Sequence, residues 1–131
     1  MALKVKSLVM PFGVEFNDVY FKINRIAYND EDELLYFAGV FFINEEARRN
    51  GLQPLDTGVL CETIRIPDKT VNLYECIYNH IKAEAVRVSN MTDEEIAENN
   101  NRVEALLEKD QGCVADKINP NYRIFKDAED C

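Results

Sequence analysis

No apolar run in this sequence is long enough to cross a bilayer. The longest uncharged apolar stretch, Leu34 to Ile43 (LLYFAGVFFI), holds ten residues, where a spanning helix needs roughly 20. The start, MALKVKSLVMPFG, has Lys4 and Lys6, but Pro11 cuts short the apolar residues behind them. It therefore lacks the apolar centre of a secretion signal. Positive charge is also scarce: 15 Lys and Arg stand against 24 Asp and Glu, a net −9 over 131 residues. Such a chain repels nucleic-acid phosphates, which excludes a nonspecific DNA or RNA binder. The four cysteines, Cys61, Cys76, Cys113 and Cys131, are widely spaced and form no CxxC. With no export signal they are expected as reduced thiols in a soluble protein made in a cytoplasm. Cys61 and Cys76 fall within apolar patterns and read as small core residues; Cys131, at the end, is expected to be exposed.

Catalytic signatures are missing as well. No Walker A, GxGxxG, GxSxG or EF-hand spacing occurs. The single histidine, His80, follows Cys76 by four residues, so the two share a helix face. A Cys3His zinc site with Cys61 and Cys113 would require distant segments to converge with no CxxC knuckle, and a Cys76–His80 nucleophile pair has no marked orienting group. The expectation is no catalytic residue, no metal ligand and no cofactor. Asp30 to Glu33 and Asp93 to Glu95 read as a solvated turn and a helix start.

What is present is a core. Hydrophobic residues make up 47% of the chain, too many for a disordered acidic tail, and the length suits one domain. Ala2 to Val9 alternates as a one-sided strand, with Pro11 and Gly13 as its breakers. Val14 to Asn17 reads as a short extended piece. Asp18 to Tyr28 alternates Val19, Phe21 and Ile23 against Tyr20, Lys22 and Asn24. The parity then switches to Ile26 and Tyr28, which predicts a bulge near Arg25. Glu33 to Ile43 is the returning strand, and Gly39 within it marks a bulge or a close backbone contact. Asn44 to Asn50 fits one helical turn, Gly51 to Gly58 a loop, and Val59 to Ile66 a strand ended by Pro67-Asp68.

A helix is predicted over about Val71 to Arg87. Tyr74, Ile77, Tyr78, Ile81 and Ala85 form its apolar stripe, and Thr70 or Asn72 its cap. Thr92 and Glu95 form a capping box for a second helix lined by Ile96, Val103, Leu106 and Leu107, with Gln111-Gly112 as its stop. The order, strands and then helices, indicates an α+β fold: a mainly antiparallel sheet of about 4–5 strands with one or two helices packed on it. The whole chain, 1–131, reads as one domain. Residues 1–87 form the sheet and first helix; residues 88–131 form an acidic helical extension and a C-terminal docking segment.

Two features point to surfaces. The strand around Tyr36, Phe37, Val40, Phe41 and Phe42 is apolar on both parities, so both of its faces need cover, from the chain itself or from another subunit. Tyr122, Ile124 and Phe125 offer a second apolar patch, suited to docking on the body or on a partner. Tyr36, Phe37, Val40, Phe41, Phe42, Tyr122 and Phe125 are thus the candidate interface residues. Residues 91–131 hold 5 basic and 11 acidic side chains, so −6 of the −9 sits in the last third.

The successive segments GVEFNDVYFKINRI, VFFINEEARRNG, NLYECIYNHIKAEA and FKDAEDC carry a resemblance. They are similar to small proteins found among the virion and tail genes of tailed bacteriophages. Tyr20 to Ile26, Asn44 to Arg48, Tyr78 to Lys82 and Phe125 to Asp130 are the matching elements, over about 75 of the 131 residues. An acidic stretch from Val86 to Asn121 departs from the pattern. The resemblance implies a non-enzymatic structural subunit of the particle, in the tail, baseplate or head–tail connector. Its partners would be other phage structural proteins and copies of itself, with neither nucleic acid nor membrane. It would be made in the host bacterial cytoplasm and end in the virion. The alternative is a small acidic phage protein that binds and inhibits a host protein by imitating the charge of DNA.

Overall fold

The computed structural model describes residues 2–10, 13–55, 60–66 and 72–131. Five strands form one antiparallel sheet: β1 (Leu3–Val9), β2 (Glu15–Asn29), β3 (Leu34–Phe42), β4 (Leu60–Arg65) and β5 (Glu129–Asp130), in the order β4-β3-β2-β1-β5. The helices are α1 (Glu45–Arg49), α2 (Leu73–Ser89) and α3 (Asp93–Glu108), followed by short 3-10 turns at Val114–Asp116 and Pro120–Phe125. The fold is α+β. The expected breaker Pro11, strand start Val59, stop Pro67-Asp68 and cap Thr70 lie outside the described residues. Asn72 caps α2 by accepting from the Glu75 N–H at 3.2 Å.

The extended piece and the second strand merge into one long β2. Its register against β3 slips between Ile23 and Arg25, where the sequence parity switches. Leu3, Val5, Val19, Phe21, Ile23, Leu35, Phe37, Phe41, Leu60 and Ile64 line the inner face and are buried. The backbone N–H of Ile23, at the edge of the bulge, donates to Tyr78 Oη of α2 at 2.9 Å. Burial pushes the Tyr78 hydroxyl up to about 12, so it stays protonated and serves as a neutral acceptor.

The α2 stripe is shifted from the expected one. Ile77, Tyr78, Ile81, Ala85 and Val88 are buried, whereas Tyr74 is half exposed. Tyr74 sits in the first turn, and α2 runs past the expected end at Arg87 to include the buried Val88. In α3, Ile96 and Val103 are buried, Leu107 is half-buried and Leu106 points outward. The Thr92–Glu95 capping box is formed in both directions.

The C-terminal segment is part of the core. Phe125 packs its ring edge-on to Phe21 (4.7 Å between centroids) and stacks on Phe41 (5.7 Å). The chain then turns to add β5 to β1, pairing Leu3 with Asp130 and Lys4 with Glu129. Asn100 clamps the preceding stretch through both its amide atoms: it accepts from the Ile118 N–H (2.7 Å) and donates to the Ile118 carbonyl (2.8 Å). Arg123 donates to the carbonyls of Val88 and Met91 and to Asp93. It thereby ties the end of α2 to the start of α3, where cation and helix C-terminus attract.

Candidate functional site

Two regions of the surface carry chemistry: the outer face of the sheet, and a polar cleft at its β4 end.

The seven candidate interface residues divide by strand parity. Phe37 and Phe41 point inward and are 0% and 1% exposed. Tyr122 and Phe125 are also buried, at 3% and 1%. These four are taken up by the chain's own core and offer nothing to a partner. Tyr36, Val40 and Phe42 have the opposite parity and lie half-buried on the outer face. Strand alternation sends neighbours to opposite faces, and α2 and the Pro120–Phe125 turn occupy the inner one. Tyr20 joins the outer group through a tilted ring contact with Phe42 at 6.5 Å.

The helix α1, with the segment to Leu55, folds over one end of this outer face. The Leu55 N–H donates to the Phe41 carbonyl at 2.7 Å. Between that segment and the strands runs a groove of about 330 Å³ lined by Lys22, Val40, Phe42, Arg48 and Pro54. Ile43 and Leu52 stand exposed beside it. The Tyr36 hydroxyl is pushed up in pKa, first by a hydrogen bond with Cys61.

Cys61 is exposed, not a core residue. It pairs with Ala38 on β3 and so shares the outer face, with the sheet between it and His80. Cys76 is half-buried against the core, Cys131 is exposed, and all four thiols are free. Among the described residues no three His, Cys, Asp or Glu side chains lie close enough to hold a metal ion. No helix there is long and apolar enough to cross a membrane.

The second region is not marked by any motif. Leu60, Glu62 and Ile64 alternate on the inner side of β4, so Glu62 points toward the helices from between two apolar neighbours. On α2, His80, Glu84 and Arg87 recur at helical spacing beside the buried stripe and face the same edge. Ala115, Asp116, Lys117 and Tyr122 close the third side. Together these residues enclose a cleft of about 240 Å³.

Its electrostatics are perturbed as burial dictates. Desolvation pushes the Glu62 carboxyl up in pKa, against a hydrogen bond from the Asn119 side chain. Desolvation also pulls the His80 imidazole down, which favours its neutral form. The Tyr122 hydroxyl is driven far up, first by burial and then by the charges of Glu62 and Glu84. It is closed to solvent and has no hydrogen-bond partner among the described residues. The ring of His80 packs edge-on to that of Tyr122 at 5.7 Å. The sequence signal for this cleft was a carboxylate placed between Leu60 and Ile64 on the core parity of a strand.

No protein-family model, curated protein or solved structure matches this chain.

Proposed function

We propose that this chain is a non-enzymatic structural subunit of a tailed-bacteriophage particle, in the tail, baseplate or head–tail connector. It works through interfaces with further copies of itself and with neighbouring particle proteins. The observation that carries this reading is the one-sided sheet. The helices α2 and α3 lie on the inner side, while Tyr36, Val40 and Phe42 remain half-exposed outside, flanked by Ile43 and Leu52. Partly exposed apolar side chains beside Lys22 and Arg48 are what a protein interface presents. The resemblance of the Tyr20–Ile26, Asn44–Arg48, Tyr78–Lys82 and Phe125–Asp130 segments to small phage virion and tail proteins is what suggests the particle. On this reading the chain is made in the bacterial cytoplasm and ends in the virion.

Imitation of DNA charge has less support. Five of the eleven acidic side chains in residues 91–131 are already matched within the chain, in the pairs Asp93–Arg123, Glu104–Lys117, Asp116–Arg65, Glu129–Lys4 and Asp130–Lys82. They are not arrayed as an unmatched row of charge.

Light scattering on the full chain tests the reading. Multiples of the 15.1 kDa protomer are expected to build with concentration. Val40→Glu places a carboxylate on the outer face opposite Lys22, where the strand tolerates it, and it should return the chain to monomer. A wild-type chain that stays monomeric at millimolar concentration, or a Val40→Glu variant that associates equally well, would overturn the self-association.

A further inference from the structure

The cleft beside β4 holds more negative charge than the chain balances. Glu84, whose side chain is only 16% exposed, is paired with Arg87 at 3.0 Å. At the rim Asp116 meets Arg65, and Lys117 meets Glu104. Glu62 is left over: a mostly buried carboxylate with an amide for a partner and, among the described residues, no cation. A buried carboxylate without a counter-charge is costly. Beside it the Tyr122 hydroxyl, in a residue 97% withdrawn from solvent, has no hydrogen-bond partner among the described residues. Buried hydroxyls are nearly always satisfied, and each exception asks for an explanation. His80 adds a neutral imidazole with one acceptor nitrogen. It makes no hydrogen bond among the described residues.

We infer that this cleft is a binding site for an organic cation bearing N–H donors, an alkylammonium or a guanidinium group, held by Glu62, Tyr122 and His80. Glu62, Tyr122 and His80 line the same cleft and bring to it a carboxylate, a phenol oxygen and an imidazole nitrogen as acceptors, and the unbalanced charge among the described residues is a single negative one. The size agrees. About 240 Å³ is far above the ~30 Å³ share of one water and below the ~300–1,000 Å³ of pockets for drug-sized ligands. It suits one amino-acid-sized group. A bare metal ion is disfavoured, because no three His, Cys, Asp or Glu side chains among the described residues are placed to hold one. The same chemistry is offered by a free small amine or guanidine and by a Lys or Arg side chain of another protein. The proposal does not depend on the outer face of the sheet or on the particle assignment.

The test is titration of the full-length, isotope-labelled chain with n-butylguanidinium, n-butylammonium and N-acetyl-arginine-N-methylamide, followed by amide and histidine ring NMR. Saturable shifts are expected, confined to residues around Glu62, His80 and Tyr122, with n-butanol producing none. Glu62→Gln should weaken binding by about tenfold or more, as expected for loss of a charge-assisted hydrogen bond. Tyr122→Phe should weaken it several-fold, and a dispersed spectrum certifies that each variant is folded. Tighter binding of the blocked arginine than of butylguanidinium identifies a protein side chain as the source; equal binding identifies a free small cation. Non-saturating shifts from all three cations, equal shifts from n-butanol, or a folded Glu62→Gln variant that binds as well as wild type would overturn the proposal. Because the readout is occupancy of the cleft, a monomeric chain that binds guanidinium leaves the inference standing while the assembly reading fails.

Discussion

Gly39 is the position where one added methyl group should do most damage. A Cβ built there would lie 2.2 Å from Cζ and 2.6 Å from Cε2 of Phe21, and 3.1 Å from the Lys22 carbonyl oxygen. Carbon atoms at rest sit about 3.5–4.0 Å apart, so the Phe21 ring would have to retreat by well over an ångström. It has nowhere to go: it is fully buried, with the ring of Phe41 at 5.0 Å and that of Phe125 at 4.7 Å. Overpacking of a tight core typically costs ~1–3 kcal/mol. With both neighbouring rings and a backbone carbonyl involved, Gly39→Ala belongs at or above the top of that range, about 3 kcal/mol. Urea denaturation of Gly39→Ala, Phe21→Leu and the double variant measures it. Phe21→Leu removes the ring that the methyl strikes, so in that background Gly39→Ala should add less than about 1 kcal/mol, which leaves a coupling of about 2 kcal/mol. A Gly39→Ala cost below about 0.5 kcal/mol, or an equal cost in both backgrounds, would refute the packing argument.

Tyr78→Phe leaves the Ile23 N–H at the β2 bulge without its acceptor. It should cost ~1–3 kcal/mol in the same denaturation assay, with local loss of amide-exchange protection at Ile23. His80 supplies a pH dependence. Burial lowers its pKa in the folded state, so the unfolded chain binds the proton more readily. Stability should therefore rise with pH through this window and be lost as pH falls below the ordinary value of about 6.5. Since His80 is the sole histidine, its ring signals should titrate below 6.5, and His80→Gln should flatten the stability profile between pH 5 and 7; titration at or above 6.5 would contradict its placement in the cleft. Asn100→Ala removes two hydrogen bonds to Ile118 at once and should cost about 2 kcal/mol, visible as increased proteolysis of the stretch before Tyr122.

The sheet was legible because its strands alternate. The parity switch from Ile23 to Ile26 located the bulge, and a glycine inside an aromatic strand announced the close approach of Phe21. The Thr92–Glu95 box marked the start of α3 directly. Other features depend on partners that no local pattern names. β5 is two acidic residues, Glu129 and Asp130, with no strand propensity of their own. It forms because β1 offers a free edge, with Lys4 and Lys82 nearby. Phe37, Phe41, Tyr122 and Phe125 are buried for a related reason: the C-terminal segment docks on the body, and the turn that covers the inner face is itself made of Tyr122 and Phe125. Each apolar patch is the other's cover. The cleft was half legible. Glu62 sits conspicuously between Leu60 and Ile64, but its meeting with His80, Glu84 and Tyr122 joins residues from three separated segments. The acidity of the last third also changes meaning, since several of those carboxylates fasten the C-terminal segment to the body. Exposed pairs of this kind contribute little each, ~0–1 kcal/mol, so they direct the docking more than they drive it.

The central claim, that this chain is a building block of a phage particle, is tested most directly by quantitative mass spectrometry of virions purified on a density gradient from a lysate of the encoding phage. The account predicts this chain in the purified particles at a fixed number of copies per virion, in proportion to known tail or head subunits. Its absence from the particles while it is abundant in the same lysate would contradict the account.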